Sequence, residues 1–142
     1  MIAIVACSQG REPGRDTTAT DSAAIDTSVR PQPAGAPWED ARRRGVDFRA
    51  IGQEPGWMLE VDNEKSIYML ADYGEKKVTL PATAPRDSAG TLRYDTRDDR
   101  HRLTVVIRRA VCHDAMSGEE MTHTVAVTLD GTAYHGCGRS LR

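Results

Sequence analysis

The chain has 142 residues, of which 28% are charged and 5% aromatic, and its formal net charge is −2. This length is typical of one compact domain. A run of about 18 apolar residues, which a membrane-spanning helix needs, does not occur, and the small net charge argues against a general nucleic-acid binder.

The first seven residues, Met1 to Cys7, are apolar although the chain as a whole is polar. The sequence Ile4-Val5-Ala6-Cys7 resembles a bacterial lipobox, in which an aliphatic and a small residue precede a cysteine. The resemblance implies cleavage before Cys7 and lipidation of its thiol and new amino terminus. Because no Lys or Arg precedes Cys7, we expect a signal segment (residues 1–7) that is truncated at its basic end. The alternative is a chance apolar start in a cytosolic protein.

Residues 8–45 are rich in Gly, Pro, Ser, Thr, Asp and Ala, with Ile25 and Val29 almost alone as aliphatic residues. Such a composition buries too little apolar surface to offset the ordering of the backbone, which costs about 1–2 kcal/mol per residue. The composition therefore predicts a disordered tether over 8–45. Its last basic residues, Arg42-Arg43-Arg44, are expected to be a solvated linker end, with contact to lipid headgroups as the alternative.

From residue 46 onward, short runs alternate apolar and polar residues. Period two is typical of strands with one buried and one solvated face. Asp130-Gly131 between two such runs predicts a tight hairpin, and no stretch has a convincing helical stripe. We therefore predict an all-β domain over 46–142, a small antiparallel barrel or curled sheet of about seven to eight strands. The alternating positions are Trp57, Leu59, Val61, Ile67, Met69, Val78, Leu80, Leu92, Tyr94, Leu103, Val105, Ile107, Val125, Val127 and Leu129.

Cys112 and Cys137 remain as a pair once Cys7 is assigned to the anchor. An even number of cysteines suits an oxidising compartment, so we expect one disulfide, worth roughly 3 kcal/mol for a loop of this length. The alternative is a metal site with His113 and His135. Adjacent strand residues point to opposite faces, which makes it difficult for Cys112 and His113 to share an ion. We therefore expect neither a metal nor a cofactor.

Two motifs resemble those of a bacterial lipoprotein family of uncharacterised function, whose members are often labelled membrane proteins. They are Gly52-Gln53-Glu54-Pro55-Gly56-Trp57 and Cys112-His113-Asp114-Ala115-Met116-Ser117-Gly118, the second followed by Gly136-Cys137-Gly138. The resemblance implies a lipid-anchored, periplasm-facing β domain with bridged cysteines, and it implies no activity. The chain is more distantly similar to META-type domains and to membrane-bound inhibitors of c-type lysozyme. In such lipoproteins an Asp directly after the lipidated cysteine implies retention in the inner membrane. Here Ser8 follows Cys7, so the resemblance favours the outer membrane.

The first motif has two interpretations. Pro55 and Gly56 suit positions i+1 and i+2 of a type II turn, after which Trp57 would close one end of the barrel with its indole N–H bonded to a partner. Alternatively, Glu54 and Trp57 form the rim of a ligand site.

The second motif is expected to form a loop between strands. Asp114 and Ser117 can hydrogen-bond neighbouring backbone amides, and Met116 would pack beneath the loop. Alternatively, Asp114, Met116, Ser117 and the acidic pair Glu119-Glu120 form a rigid recognition loop that faces a partner. Ser117, Asp114 and either His123 or His135 also have the residue types of a hydrolytic triad, but no nucleophile elbow is present and we expect no catalytic residues. His123 is expected at the edge of the core, partly buried.

Together these features predict a monomeric, membrane-anchored lipoprotein of the bacterial periplasm, acting as a binding or envelope-structural module rather than an enzyme. Its expected partners are membrane lipid, through the acyl anchor, and an envelope protein or small ligand. The alternatives are an inhibitor of c-type lysozyme and, less favoured by the residues, a small periplasmic hydrolase.

Overall fold

The computed structural model describes residues 35–142, which form one helix, nine strands and a short 3-10 turn at Asp72–Gly74. The helix is α1 (Ala36–Arg43). The strands are β1 (Phe48–Gly52), β2 (Trp57–Asp62), β3 (Ser66–Ala71), β4 (Lys76–Pro81), β5 (Arg86–Ser88), β6 (Thr91–Arg97), β7 (Arg102–His113), β8 (Glu120–Leu129) and β9 (Thr132–Ser140).

All neighbouring strands are antiparallel, in the order β4-β3-β2-β1-β9-β8-β7-β6-β5. The sheet curls into a half-barrel whose two sides approach each other, since Thr96 Oγ1 of β6 donates to the carbonyl of Pro81 in β4 at 2.7 Å. The predicted all-β fold, as a curled antiparallel sheet, is therefore confirmed. Within residues 35–142 there are nine strands rather than seven or eight.

The inner face of the half-barrel is the main hydrophobic core. Buried residues alternate along most of the strands, as the period-two pattern predicts, whereas all three residues of β5 are exposed. Gly138 lies where a Cβ would come within 2.7 Å of the Phe48 ring, so the missing side chain lets that ring pack directly on the sheet. The core includes Leu59, Val61, Ile67, Met69, Leu80, Leu103, Val105, Ile107, Val127 and Leu129.

The Asp130-Gly131 hairpin is confirmed. Leu129 pairs with Thr132 across a two-residue loop whose members both have positive φ, 50° for Asp130 and 87° for Gly131. Two positive φ values define the type I′ turn, whose twist matches that of the flanking strands. The Asp130 carboxylate also accepts the backbone N–H of Arg102 at 2.8 Å.

Helix α1 corrects the predicted domain boundary at residue 46. It lies inside the stretch predicted to be a tether, and both Trp38 and Ala41 are buried. The predicted tether is therefore wrong for residues 36–43, because Trp38 supplies the apolar surface that the surrounding polar composition lacks. The rest of that stretch, and Cys7 before it, lie outside the described residues.

Residues typical of helix ends stand at both ends of α1, although the overall composition of this stretch does not indicate a helix. Pro37 stands in the first turn, where a missing N–H costs little. At the other end, the N–H of Gly45 donates to the carbonyl of Arg42 and that of Val46 to the carbonyl of Ala41, both at 3.1 Å. With Gly45 at φ 92°, this is a Schellman cap.

The far end of the β7–β8 hairpin, residues 110–121, folds back over the outer face of the sheet, and we call it the flap. The pairing of β7 with β8 shifts register between Arg109 and Cys112, which bends the hairpin. Cys112 then reaches Cys137 of β9, although β9 is not adjacent to β7 in the sheet. The flap and α1 together form an outer layer in which Trp38, Met121 and Cys137 pack as a second buried cluster.

In the part of the chain from residue 35 onward, no helix has both the length and the apolar character needed to cross a bilayer.

Candidate functional site

The two sequence motifs meet in space beside the flap. Gln53 of the first motif donates from Nε2 to Asp114 Oδ1 of the second at 3.3 Å, across 61 positions of sequence. Trp57 Nε1 donates to the carbonyl of His135 at 3.2 Å, next to the Gly136-Cys137 pair that completes the second motif. The motifs therefore build one structural unit.

The disulfide between Cys112 and Cys137 is confirmed, with the two Cα atoms 5.5 Å apart. Cys137 pairs with Thr124, which in turn pairs with Arg108. The bridge thus fastens the flap above the middle of β7, β8 and β9 rather than at a strand end. It holds the flap in place against the sheet.

The loop at the tip of the flap, residues 114–119, is organised around one carboxylate, and we call it the Asp114 loop. Asp114 is only 5% exposed. Its Oδ2 accepts hydrogen bonds from the backbone N–H groups of Met116 at 3.2 Å and Ser117 at 2.8 Å, and from Ser117 Oγ at 2.9 Å. Burial by itself raises the pKa of Asp114, but these bonds and that from Gln53 outweigh burial and lower it below the usual range. The carboxylate therefore stays ionised and fixes the loop.

Met116 is exposed rather than packed beneath the loop, so that prediction is wrong. Its side chain is 78% exposed, and Val111, earlier in the flap, is 65% exposed. The reason is the loop geometry, because Asp114 and Ser117 fill the space beneath the turn with polar contacts. A large apolar side chain is thus held at the apex of a fixed loop.

Ser117 takes part in the turn. Its hydroxyl donates to Asp114 Oδ2 and accepts the N–H of Glu119 at 3.2 Å. Among residues 35–142, no hydrogen bond joins Ser117 to His123 or His135; the side chain of His123 instead bonds Thr122 Oγ1 at 2.8 Å. The residues of the hypothetical triad are therefore not brought together as a hydrogen-bonded chain.

The Glu54-Pro55-Gly56 turn differs from the predicted type II turn. The Glu54–Pro55 peptide bond is cis, and the positive φ belongs to Glu54, at 52°, rather than to Gly56. Gly56 instead faces the Tyr73 ring, which a Cβ would approach to 2.9 Å. Glu54 is exposed. Trp57 is only 5% exposed, which supports the structural interpretation of that residue.

His123 is partly buried at the edge of the core, as predicted. Its ring lies edge-on to Phe48, with the centroids 5.4 Å apart. Burial, and secondarily the charge of Arg109, lower the pKa of His123 below its usual value.

A groove of about 720 Å³ lies between the flap and the outer face of β7, β8 and β9, and we call it the outer groove. The flap side is formed by Cys112 to Ala115, and Gln53 lies at one end. Two neighbouring cross-strand rows form its floor: Val106, Ala126 and His135, and Arg108, Thr124 and Cys137.

A charged cluster beside α1 was missed by the sequence-based reasoning. Glu60, in the middle of β2, is buried and accepts two hydrogen bonds from Arg44 at 2.8 Å and one from Arg49 Nη1 at 2.6 Å. The guanidinium groups of Arg139 and Arg49 lie 4.4 and 5.5 Å from the Trp38 ring centroid, within cation–π distance. The one sequence signal was Glu60 between the apolar residues Leu59 and Val61.

The described residues contain no group of three or more His, Cys, Asp or Glu side chains arranged to hold a metal ion.

Comparison of the chain with family models, with curated proteins and with solved structures yields no match. The resemblance to lipoproteins therefore rests on the motifs alone.

Proposed function

We propose that this protein is a lipid-anchored, periplasm-facing binding module of a bacterial envelope. It binds an envelope protein through Met116 and the Asp114 loop. The observation on which this rests is the exposure of Met116, 78%, at the apex of a loop held by a buried carboxylate and a disulfide. A rigid loop loses little conformational entropy on binding, and a methionine contributes adaptable apolar contact.

The disulfide supports the proposed compartment. Disulfides persist in oxidising environments such as the bacterial periplasm and are rare in the cytosol. The proposed anchor at Cys7 rests on the lipobox resemblance. We expect Cys7→Ser to move the protein from the membrane fraction to the soluble periplasmic fraction, and unchanged membrane association would contradict the anchor.

The proposed contact is tested by affinity capture from envelope extracts, followed by binding measurements with the purified captured protein. Met116→Asp adds a charge to the apolar apex without disturbing the buried turn, so we expect the partner to be lost. Ala89→Asp is the matched control. It adds the same charge at the exposed tip of the β5–β6 hairpin, where φ is 51° and Asp is well tolerated.

The expected result is a partner that wild type and Ala89→Asp bind with equal affinity and that Met116→Asp binds at least about ten-fold more weakly. Equal binding by all three proteins would show that the contact lies elsewhere. Loss of binding in both variants would indicate a charge effect rather than a contact at Met116.

A further inference from the structure

The floor of the outer groove combines an apolar strip with one arginine, Arg108. Val106 of β7 pairs directly with Ala126 of β8, and Thr124 lies two residues from Ala126 on the same strand, so all three face the same side of the sheet. Arg108 lies beside Thr124 at the edge of this floor, and its side chain is exposed. The groove volume, about 720 Å³, falls in the range of small-ligand sites.

Arg108 is the cation of the groove that can bind an anionic ligand, because the nearby carboxylates are bonded to other groups. Asp114, which also lines the groove, already accepts four hydrogen bonds from Gln53, Met116 and Ser117. The other nearby carboxylate, Glu120, lies 3.5 Å from the imidazole of His113. Arg108 forms no ion pair with any residue of the range 35–142.

We propose that the outer groove binds a single-chain aliphatic carboxylate, with the carboxylate on Arg108 and the chain along Val106 and Ala126 beneath the flap. This goes beyond the protein contact proposed above and does not depend on it. A guanidinium binds a carboxylate through two parallel hydrogen bonds. His135 on the floor and His113 on the flap side offer further ring nitrogens.

The lining favours an aliphatic chain over an aromatic ring. Its apolar residues are aliphatic or small, and none of the residues lining this groove is Phe, Tyr or Trp. An aromatic ligand would therefore find only the imidazole rings of His113 and His135 to stack on, whereas a flexible chain can follow the small side chains of the floor.

The test is a titration of the full protein with octanoate, decanoate, octan-1-ol, octylammonium and 4-ethylbenzoate, each below its aggregation concentration. Calorimetry would give the affinities, and NMR shifts of the amides of β7 and β8 would locate the site. We expect decanoate to bind more tightly than octanoate, by up to about four-fold per buried methylene. We expect octan-1-ol to bind at least about ten-fold more weakly than octanoate, because it lacks the charge-assisted contact.

Two pairs of variants assign the contacts. Arg108→Gln should weaken decanoate binding at least about ten-fold, whereas Arg109→Gln, a neighbouring exposed arginine that does not line the groove, should leave it unchanged. Ala126→Phe should fill the floor and abolish binding, whereas Ala133→Phe, exposed on β9 outside the lining, should not. Ala126→Leu serves as a milder filling variant if the Phe variant fails to fold.

The proposal is overturned if wild type binds neither carboxylate at millimolar concentration, or if octylammonium and octan-1-ol bind as tightly as octanoate. If Arg108→Gln and Arg109→Gln lost the same amount of decanoate affinity, the loss would come from the change in net charge and not from a contact with Arg108. Tighter binding of 4-ethylbenzoate than of octanoate would replace the aliphatic ligand with an aromatic one. NMR shifts confined to the Met116 apex would place the binding outside the groove.

Discussion

Asp114 and Glu60 are both buried carboxylates, and each is stabilised by a different kind of partner. Asp114 is satisfied by loop amides, a hydroxyl and Gln53. Glu60 is satisfied by the guanidinium groups of Arg44 and Arg49. A buried carboxylate without such partners would cost several kcal/mol, so each fixes the segment that supplies its donors. Asp114 fixes the flap tip, and Glu60 fixes the end of α1.

His123 should make the stability of the protein depend on pH in a mildly acidic window. Its pKa is lowered in the folded state by burial and by Arg109, so the unfolded chain takes up a proton first as the pH falls below about 6.5. The free energy of unfolding should therefore decrease as the pH falls from 7 toward 5.5. The facing groups are the Phe48 ring, Arg109 and Thr122.

Urea unfolding at several pH values checks this expectation. In His123→Gln the free energy of unfolding should fall less between pH 7 and 5.5 than in wild type. In His135→Gln, a substitution at an exposed position, it should fall as much as in wild type. An identical decrease in wild type and His123→Gln would assign the pH dependence to other groups.

At the scale of elements, α1 depends on its contacts with the sheet. A helix of eight residues is too short to be stable in water by itself. Its attachment comes from Trp38, which is 7% exposed and packs against Met121 and Cys137. The ion pairs Glu39–Arg42 and Asp40–Arg43 are solvent-exposed and contribute little.

Trp38→Ala should detach α1 and lower the free energy of unfolding by about 3–5 kcal/mol. Hydrogen exchange should increase over residues 36–46 and in the flap, while the strands of the inner core remain protected. Trp38→Phe keeps a ring in the same cluster and should cost clearly less. If Trp38→Ala left the exchange of residues 36–46 unchanged, α1 would be held by other contacts.

The same layered arrangement explains the two roles of the flap. Its inner side packs on Trp38 and Cys137 through Met121, and its tip exposes Met116. The salt bridge between Arg139 and Glu119 adds a second link between the flap and β9. The flap is thus part of the fold and also the surface that we propose for binding.

At the scale of the whole molecule, the disulfide joins the outer layer to the sheet. Replacing both cysteines, Cys112→Ala with Cys137→Ala, should lower the free energy of unfolding by about 3 kcal/mol, because the unfolded chain regains the freedom of a closed loop. Urea unfolding of the oxidised wild type and the double variant measures the loss. Hydrogen exchange should increase most in the flap, since the inner core does not include either cysteine.

An unchanged urea midpoint would show that the bridge contributes little to stability. A uniform increase in exchange over all strands would show that the flap and the half-barrel unfold as one unit. A half-barrel that remains protected while the flap exchanges would confirm the two-layer description.

Much of the fold could be predicted because its signals are local. The alternation of Leu103, Val105 and Ile107 and the Asp130-Gly131 turn specify strands and a hairpin through neighbours along the chain. Two strands were missed. In β1 the buried positions after Phe48 are the small residues Ala50 and Gly52, and β5, Arg86–Ser88, has three exposed residues, so neither strand has a clear apolar alternation. Helix α1 was missed because its two buried residues, Trp38 and Ala41, make too short a stripe.

The sequence by itself determined the all-β class, the disulfide between Cys112 and Cys137 and the core edge at His123. Only the tertiary structure decided that Met116 is exposed, that Gln53 meets Asp114 and that a groove lies beneath the flap. Alternation and turn residues act over a few positions, so they can be seen in the sequence. The burial of a side chain against a segment 61 positions away depends on how the sheet curls and the hairpin bends, which no local pattern specifies.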